Sequence, residues 1–267
     1  MADEQEQQAV AREGRPELDP EEAQVYAEAL RALNRAGVPY AVGGAWALHS
    51  YTGLRRSTKD LDLFLRAEDL RSAMDALAEV GFEANVEYPH WLAKAHRAPY
   101  FVDLIFANNN SRLRVDQVWL DHGRQVEVAG VPCRVISAEE LIASKTYIGV
   151  RHRFDGADVA HVIRGVQGKL DWQRILSRLG DDAQLLLWHL IFFDFVYPGH
   201  AEYLPRELMV RLFEQASSRW STPDDPKRFR GTVLDQFSFV VDVEDWGYED
   251  PLIIQPLVDE EGNVMGR

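Results

Sequence analysis

The sequence predicts an α+β fold, with a small mixed β-sheet and flanking helices over residues 22–136 and a mainly helical domain over residues 137–267. Short β-prone runs with alternating or fully apolar patterns predominate before residue 137, and patterns of helical spacing replace them afterwards. Hydrophobic residues make up 46% of the chain and charged residues 27%, which is the balance of a globular protein. This composition excludes collagen-like and coiled-coil classes.

Charge and cysteine content narrow the function classes. The net charge of -14 argues against general nucleic-acid binding, although it leaves a local basic groove open. The single cysteine, Cys133, rules out an internal disulfide and a structural zinc cluster, which favours a reducing cytoplasm. Residues 1–21 are rich in Gln, Glu and Asp, so we expect an acidic disordered tail rather than a secretion signal.

The first elements surround a pair of glycines. Apolar residues recur at helical spacing from Pro20 until Gly37, which is typical of a helix that ends at glycine. The apolar run Val38–Val42 then predicts a short strand that stops at Gly43 and Gly44. A short helix is expected directly after these glycines.

Acidic residues lie on two of the strands that follow. Residues Lys59–Leu65 alternate strictly, so Asp60 and Asp62 project from the same face of a strand. After a helix that ends near Gly81, the runs Trp91–Ala95 and Tyr100–Phe106 predict a hairpin, and its second strand contains Asp103.

The remaining pattern changes from strand to helix. Runs at Gln125–Val128 and Pro132–Ile136 predict a second hairpin, and Ser137 begins a capping box. We expect helices over Leu141–Val150, Ala157–Val166, Trp172–Leu179, Ala183–Val196 and Leu208–Phe213. The apolar stretch Leu185–Val196 is shorter than the roughly 20 residues of a membrane span, so we predict a core helix, with its aromatic residues in the core, and no membrane partner.

The acids and the glycines together indicate a particular chemistry. Asp60 and Asp62 can share a hard cation, and Asp103 from a neighbouring strand would complete an oxygen-rich cluster suited to Mg²⁺. A glycine turn between a strand and a helix lets backbone amides approach a phosphate closely. A solvated sheet face and an ordinary glycine turn are the alternatives for each feature taken alone.

Three segments carry a resemblance to a known family. They are Val42–His49 with its two glycines, Arg56–Leu63 with Asp60 and Asp62, and Phe101–Ile105 with Asp103. Together they resemble the polymerase β-like nucleotidyltransferase superfamily, in particular bacterial abortive-infection and toxin-antitoxin nucleotidyltransferases and antibiotic nucleotidyltransferases. The interval from Gly44 to Asp60 is longer than in many of these relatives, which affects the expected shape of the acceptor pocket.

The resemblance implies a role for each motif. Gly43 and Gly44 would hold a nucleoside triphosphate, with ATP the expected one. Asp60 and Asp62 would bind two Mg²⁺ ions, and Asp103 would bind the catalytic ion and assist deprotonation of an acceptor hydroxyl.

Several further residues are candidates for contacting the triphosphate. Arg56 and Lys59 flank the acidic strand and either neutralise phosphate or are simply solvated. Thr58 either contributes to the same site or helps to pack the start of the strand. Lys145 lies in a predicted helix otherwise lined by apolar residues, so its amine is expected to reach the cleft from a buried stem.

The resulting hypothesis is an enzyme. It transfers a nucleoside monophosphate from an NTP to an acceptor hydroxyl with release of pyrophosphate. The acceptor is a small molecule resembling an aminoglycoside or a lincosamide, a tRNA, or a partner protein; oligomeric state is left open. The alternative is a catalytically silent antitoxin or regulatory protein that binds nucleotide or a partner.

Overall fold

The protein is described by a computed structural model, which covers residues 18–55, 58, 60–222, 225–250 and 252–265. The chain forms two compact units. The sheet unit contains the described residues up to Asn109, residues Arg114–Ser137 and the described residues from Gln255 onward. The helical unit contains Asn110–Leu113 and Ala138–Ile254. The predicted disordered tail lies outside the described residues up to Glu17, and Asp19 caps the first helix.

The sheet unit is built on five strands in the order β1-β2-β5-β4-β3. Strands β2 and β5 pair in parallel and the other neighbours are antiparallel, which makes the sheet mixed. Its elements are α1 (Pro20–Ala36), β1 (Ala41–Val42), α2 (Gly44–Thr52), β2 (Leu61–Phe64), α3 (Leu70–Ala78), β3 (Glu83–Tyr88), β4 (Leu92–Arg97), β5 (Tyr100–Ile105) and α4 (Gln117–Asp121). A separate hairpin consists of β6 (Gln125–Val128) and β7 (Val131–Arg134).

One face of this sheet forms part of the hydrophobic core. The strand residues that alternate with the acids are fully buried, among them Leu61, Leu63, Val102 and Leu104. Apolar alternation therefore fixes the register, since a slip of one residue would turn these side chains out and the acids in. The buried face leaves the opposite face of β2 and β5 for polar side chains.

The predicted mixed sheet with helices is confirmed, but one strand of this sheet was missed. Strand β3 lies where no strand was predicted, because its residues alternate only weakly and remain largely exposed. It is an edge strand paired on one side with β4, and the pairing, rather than the pattern, makes it a strand.

The helical unit is mainly helical, as predicted. Its helices are α5 (Ala138–Thr146), α6 (Gly156–Gly165), α7 (Trp172–Leu179), α8 (Ala183–Val196), α9 (Arg206–Ser221), α10 (Gly231–Leu234) and α11 (Val240–Glu244). A short hairpin separates α5 from α6, and its strands, β8 (Gly149–Val150) and β9 (Arg153–Phe154), have two residues each. The predicted helix over Leu141–Val150 is therefore wrong at its C-terminal end.

The prediction for the aromatic helix is only half right. In α8 the buried stripe contains Leu186, Leu190 and Phe193, whereas Trp188 is 43% and Phe195 is 83% exposed. The helix is apolar around its whole circumference, so its pattern could not show which stripe is covered. None of the described helices is both long and apolar enough to cross a membrane.

Candidate metal and nucleotide site

Three acids meet on the open face of the sheet. Asp62 on β2 lies directly opposite Asp103 on the parallel strand β5, and Asp60 immediately precedes β2. One carboxylate oxygen from each of the three lies within 4.8 Å of the others, and all three residues are half-buried. The sequence placed Asp60 and Asp62 on one face of a strand, and the parallel pairing brings Asp103 to them.

The two glycines lie directly against this cluster. Gly44 has φ +50°, and a Cβ atom there would lie 1.8 Å from Asp62 Oδ2. A Cβ on Gly43 would lie 2.2 Å from the Phe64 ring, and the Gly43 amide donates to the Asp62 carbonyl at 2.9 Å. Both positions need glycine, because the backbone packs against β2 at the point where the acid projects. The first turn of α2 consequently begins beside the acids.

Thr58 supports the first acid. Its Oγ1 lies 2.9 Å from both the carbonyl oxygen and Oδ1 of Asp60. This hydroxyl orients the Asp60 carboxylate, a role closer to the predicted packing alternative than to a direct phosphate contact. Arg56 and Lys59, the predicted phosphate ligands on either side of Thr58, lie outside the described residues.

Lys94 was not singled out from the sequence, yet its Nζ donates to Asp103 Oδ1 at 2.8 Å. It lies on β4 directly opposite Asp103. The sequence contained a feature that predicts this pair. Strands β4 and β5 are joined by the two residues Ala98-Pro99, and such a short connection fixes Lys94 opposite Asp103.

Burial and charge act against each other at Asp103. Burial raises the pKa of Asp103 above its usual value, the Lys94 ammonium opposes the increase, and the charges of Asp60 and Glu87 add to it. The pKa of Lys94 is also raised: burial lowers it, but the hydrogen bond and charge of Asp103 outweigh burial. The raised pKa means that the ionised form of Asp103 is less favoured than in an ordinary aspartate. A positive charge at the cluster stabilises that ionised form.

The donor set fits a hard divalent cation. Three carboxylates supply the oxygen ligands that Mg²⁺ prefers, and the group contains no thiolate or imidazole ligand. Because Gly44 has no side chain, the backbone turn lies directly against the Asp62 carboxylate. The arrangement can therefore hold a cation next to a backbone turn that approaches phosphate closely.

Lys145 belongs to the helical unit, on α5. Its ammonium lies 2.6 Å from Asp155 Oδ2 and 2.7 Å from Asp158 Oδ2, and all three side chains are buried. Arg153 also pairs with Asp155 at 2.9 Å. These contacts give Lys145 a structural role within its unit, and its predicted contact with the triphosphate stays a prediction.

Solved structures with similar folds include nucleotidyltransferases. The antibiotic-resistance factor ANT(2'')-Ia is 16% identical, with 76% of this chain and 97% of that chain covered and a TM-score of 0.42. The lincosamide antibiotic adenylyltransferase LnuA, bound to lincomycin, is 15% identical over 54% of this chain and 96% of that chain, with a TM-score of 0.39. An antigenic nucleotidyltransferase-like protein from Paracoccidioides brasiliensis is 18% identical over 62% and 89%, also with a TM-score of 0.39.

Sequence comparison gives the family. No curated protein sequence matches the chain. A family model does match it, over residues 22–181, which include the glycines, the three acids and Lys145. The predicted resemblance is confirmed by this match, and the chain belongs to the DUF2204 family, described as a nucleotidyl transferase of unknown function.

Proposed function

We propose that this protein is an Mg²⁺-dependent nucleotidyltransferase that moves a nucleoside monophosphate from an NTP, with ATP the expected donor, to an acceptor hydroxyl. The observation that carries the proposal is the convergence of Asp60, Asp62 and Asp103 within 4.8 Å. Bringing three carboxylates this close together costs free energy, because like charges repel at such distances. The Lys94 ammonium offsets part of that cost at Asp103, and a bound divalent cation would offset it further.

The chain's own groups have distinct tasks in this reaction. Asp60 and Asp62 would hold two Mg²⁺ ions together with Asp103, and Thr58 keeps the Asp60 carboxylate oriented. Such ions, when bound, stabilise the entering and leaving oxygens of an in-line displacement. The turn at Gly43 and Gly44 places the first turn of α2 where its partial positive charge favours the triphosphate.

The bonds and the proton balance as follows. The acceptor oxygen forms a bond to the α-phosphorus, and the bond between that phosphorus and the oxygen leading to the β-phosphate breaks. Asp103 accepts the hydroxyl proton, and the electron pair of the broken bond leaves with pyrophosphate. A carboxylate held in a partly buried position is suited to this task, because burial makes it a better proton acceptor than an exposed aspartate.

The net charge of the protein is the basis on which we propose an acceptor. A net charge of -14 attracts a cationic small molecule such as an aminoglycoside and disfavours RNA. A lincosamide-like compound, a tRNA and a protein hydroxyl are the other acceptors to be tested. A silent nucleotide- or partner-binding regulator is the second candidate function, and the complete set of three acids weighs against it.

The test is transfer of label from each α-labelled NTP with Mg²⁺. The acceptors are an aminoglycoside, a lincosamide, bulk tRNA and the protein itself, and Asp62→Asn is the control variant. We expect transfer from ATP that falls by about 1000-fold in the variant, because one metal ligand is lost. Equal transfer by both proteins would contradict the two-metal mechanism, and NTP binding without transfer to any acceptor would favour the silent regulator.

A further inference from the structure

Lys94 completes a row of charged residues across three neighbouring strands. Asp62 on β2 lies opposite Asp103 on β5, and Asp103 lies opposite Lys94 on β4. Directly opposed residues on adjacent strands project from the same face of a sheet. The ammonium of Lys94 therefore lies on the same face as the acids.

Two contacts hold this ammonium in place. Its Nζ donates to Asp103 Oδ1 at 2.8 Å, and it lies 4.6 Å from the centroid of the Phe101 ring. The side chains of Lys94 and Asp103 are 22% and 13% exposed, so solvent screens the pair only weakly. A charge held in this way acts continuously on the neighbouring carboxylates.

We propose that Lys94 is the built-in counter-cation of the acid cluster: it neutralises Asp103 in the absence of metal, and a divalent cation has to compete with it for that carboxylate. The inference rests on the proposed function, since it concerns how the metals of that reaction are held. Lys94 acts through Asp103 and is a positioning residue. Its hydrogen bond to Asp103 Oδ1 fixes the orientation of that carboxylate.

The physical consequence is a trade between metal affinity and turnover. A positive charge next to the cluster repels a divalent cation, so the bare site binds metal less tightly than three carboxylates alone would. The negative charge of a bound triphosphate offsets that repulsion, so that metal and nucleotide favour each other's binding. Loss of Lys94 should therefore strengthen metal binding and, because Asp103 becomes free to rotate, slow the reaction.

Mn²⁺ alone is the probe, titrated without nucleotide or acceptor and followed by the electron paramagnetic resonance signal of the free ion. We expect Lys94→Met to bind Mn²⁺ about 10-fold more tightly than the wild type. Lys94→Arg, which keeps the charge, should stay within about twofold. Lys169→Met is the matched control, because it removes the same charge from an exposed position in the helical unit. Asp62→Asn should weaken binding, which identifies the ion as the one at the acid cluster.

Kinetics supply the second measurement. At saturating Mg²⁺, Lys94→Met should lower kcat by about 10-fold with little change in KM for NTP, and Lys94→Arg should restore most of the loss. Lys94→Gln repeats both measurements if circular dichroism shows that the methionine variant is not folded. Unchanged or weaker Mn²⁺ binding in Lys94→Met and Lys94→Gln overturns the inference, as does a wild type whose Mn²⁺ binding is insensitive to Asp62→Asn. Failure of the wild type to transfer nucleotide overturns the proposed function alone, since the Mn²⁺ titration needs no reaction.

Discussion

In the helical unit two buried carboxylates share one ammonium, whereas in the sheet unit three half-buried carboxylates converge and one of them, Asp103, also pairs with Lys94. Asp155 and Asp158 each lie within hydrogen-bonding distance of the Lys145 ammonium. Asp60, Asp62 and Asp103 instead place oxygens within 4.8 Å of each other. A carboxylate paired with a cation stabilises a fold, whereas converging like charges repel one another, and that repulsion supports the proposed cation site in the sheet unit.

The pKa values of two aspartates show the same difference. Burial acts to raise the pKa of Asp155, but Arg153 and Lys145 reverse the effect and lower it to about 2. At Asp103 burial prevails over Lys94, and the pKa is raised. The same residue type thus has a lowered pKa in one unit and a raised pKa in the other.

The largest effect is expected at Gly44. Gly44→Ala would place a Cβ atom 1.8 Å from Asp62 Oδ2, so the carboxylate or the turn has to move. We expect loss of nucleotidyl transfer by about 1000-fold or more, since the metal ligand leaves its position. Transfer rate and Mn²⁺ affinity measure the effect.

Gly53→Ala is the matched control for this substitution. Gly53 follows the same helix and also has positive φ, +72°, but nothing lies within 4 Å of its Cβ position. It carries the backbone strain, about 1–2 kcal/mol, without the contact with an acid. Equal loss of transfer in both variants would mean that backbone strain, and not proximity to Asp62, is the cause.

The next largest effect is expected at Lys145. Lys145→Met leaves Asp155 and Asp158 buried without their shared ammonium, which should destabilise the protein by about 3–5 kcal/mol. Asp62→Asn should change the free energy of unfolding by less than about 1 kcal/mol, because it removes one of three converging charges. Urea unfolding followed by circular dichroism measures both. If Lys145→Met were as stable as the wild type, the proposed contrast between a structural charge network in the helical unit and a cation site in the sheet unit would be wrong.

The smallest effect is expected in acid. Because the pKa of Asp155 is lowered to about 2 in the folded protein, its contribution to stability is present above pH about 4 and is lost as the pH falls towards 2. Between pH 4 and 2 the wild type should therefore lose about 2 kcal/mol more unfolding free energy than Asp155→Asn. Urea midpoints at several pH values measure the slope. An unchanged slope in the variant would show that Asp155 is not held charged by its partners.

Much of the candidate site was predictable from local pattern. The alternation around Asp60 and Asp62 determines their common face, and the glycines between a strand and a helix mark a close backbone approach. The helix from Pro20 to Ala36, with Gly37 in the left-handed conformation after it, follows the predicted bounds closely. These features depend on neighbours within a few residues of the chain, so a single sequence contains them.

Other features depended on which segments pair. Strand β3 has a weak pattern and owes its conformation to β4, and residues 149–154 form a hairpin although the predicted helix continued to Val150. In α8 an apolar circumference gave no sign that Trp188 and Phe195 would be exposed. In each case the deciding interaction comes from a different element.

By itself, the sequence determined the mixed fold, the face that carries Asp60 and Asp62, and the need for glycine before α2, because periodicity and backbone sterics act over short stretches of chain. The tertiary structure alone decided that β2 runs parallel to β5, so that Asp103 joins the other two acids with Lys94 at its side. It also decided that Lys145 is held by Asp155 and Asp158. Electrostatic interactions depend on distance in space, and residues far apart in the chain acquire that distance only when the fold forms.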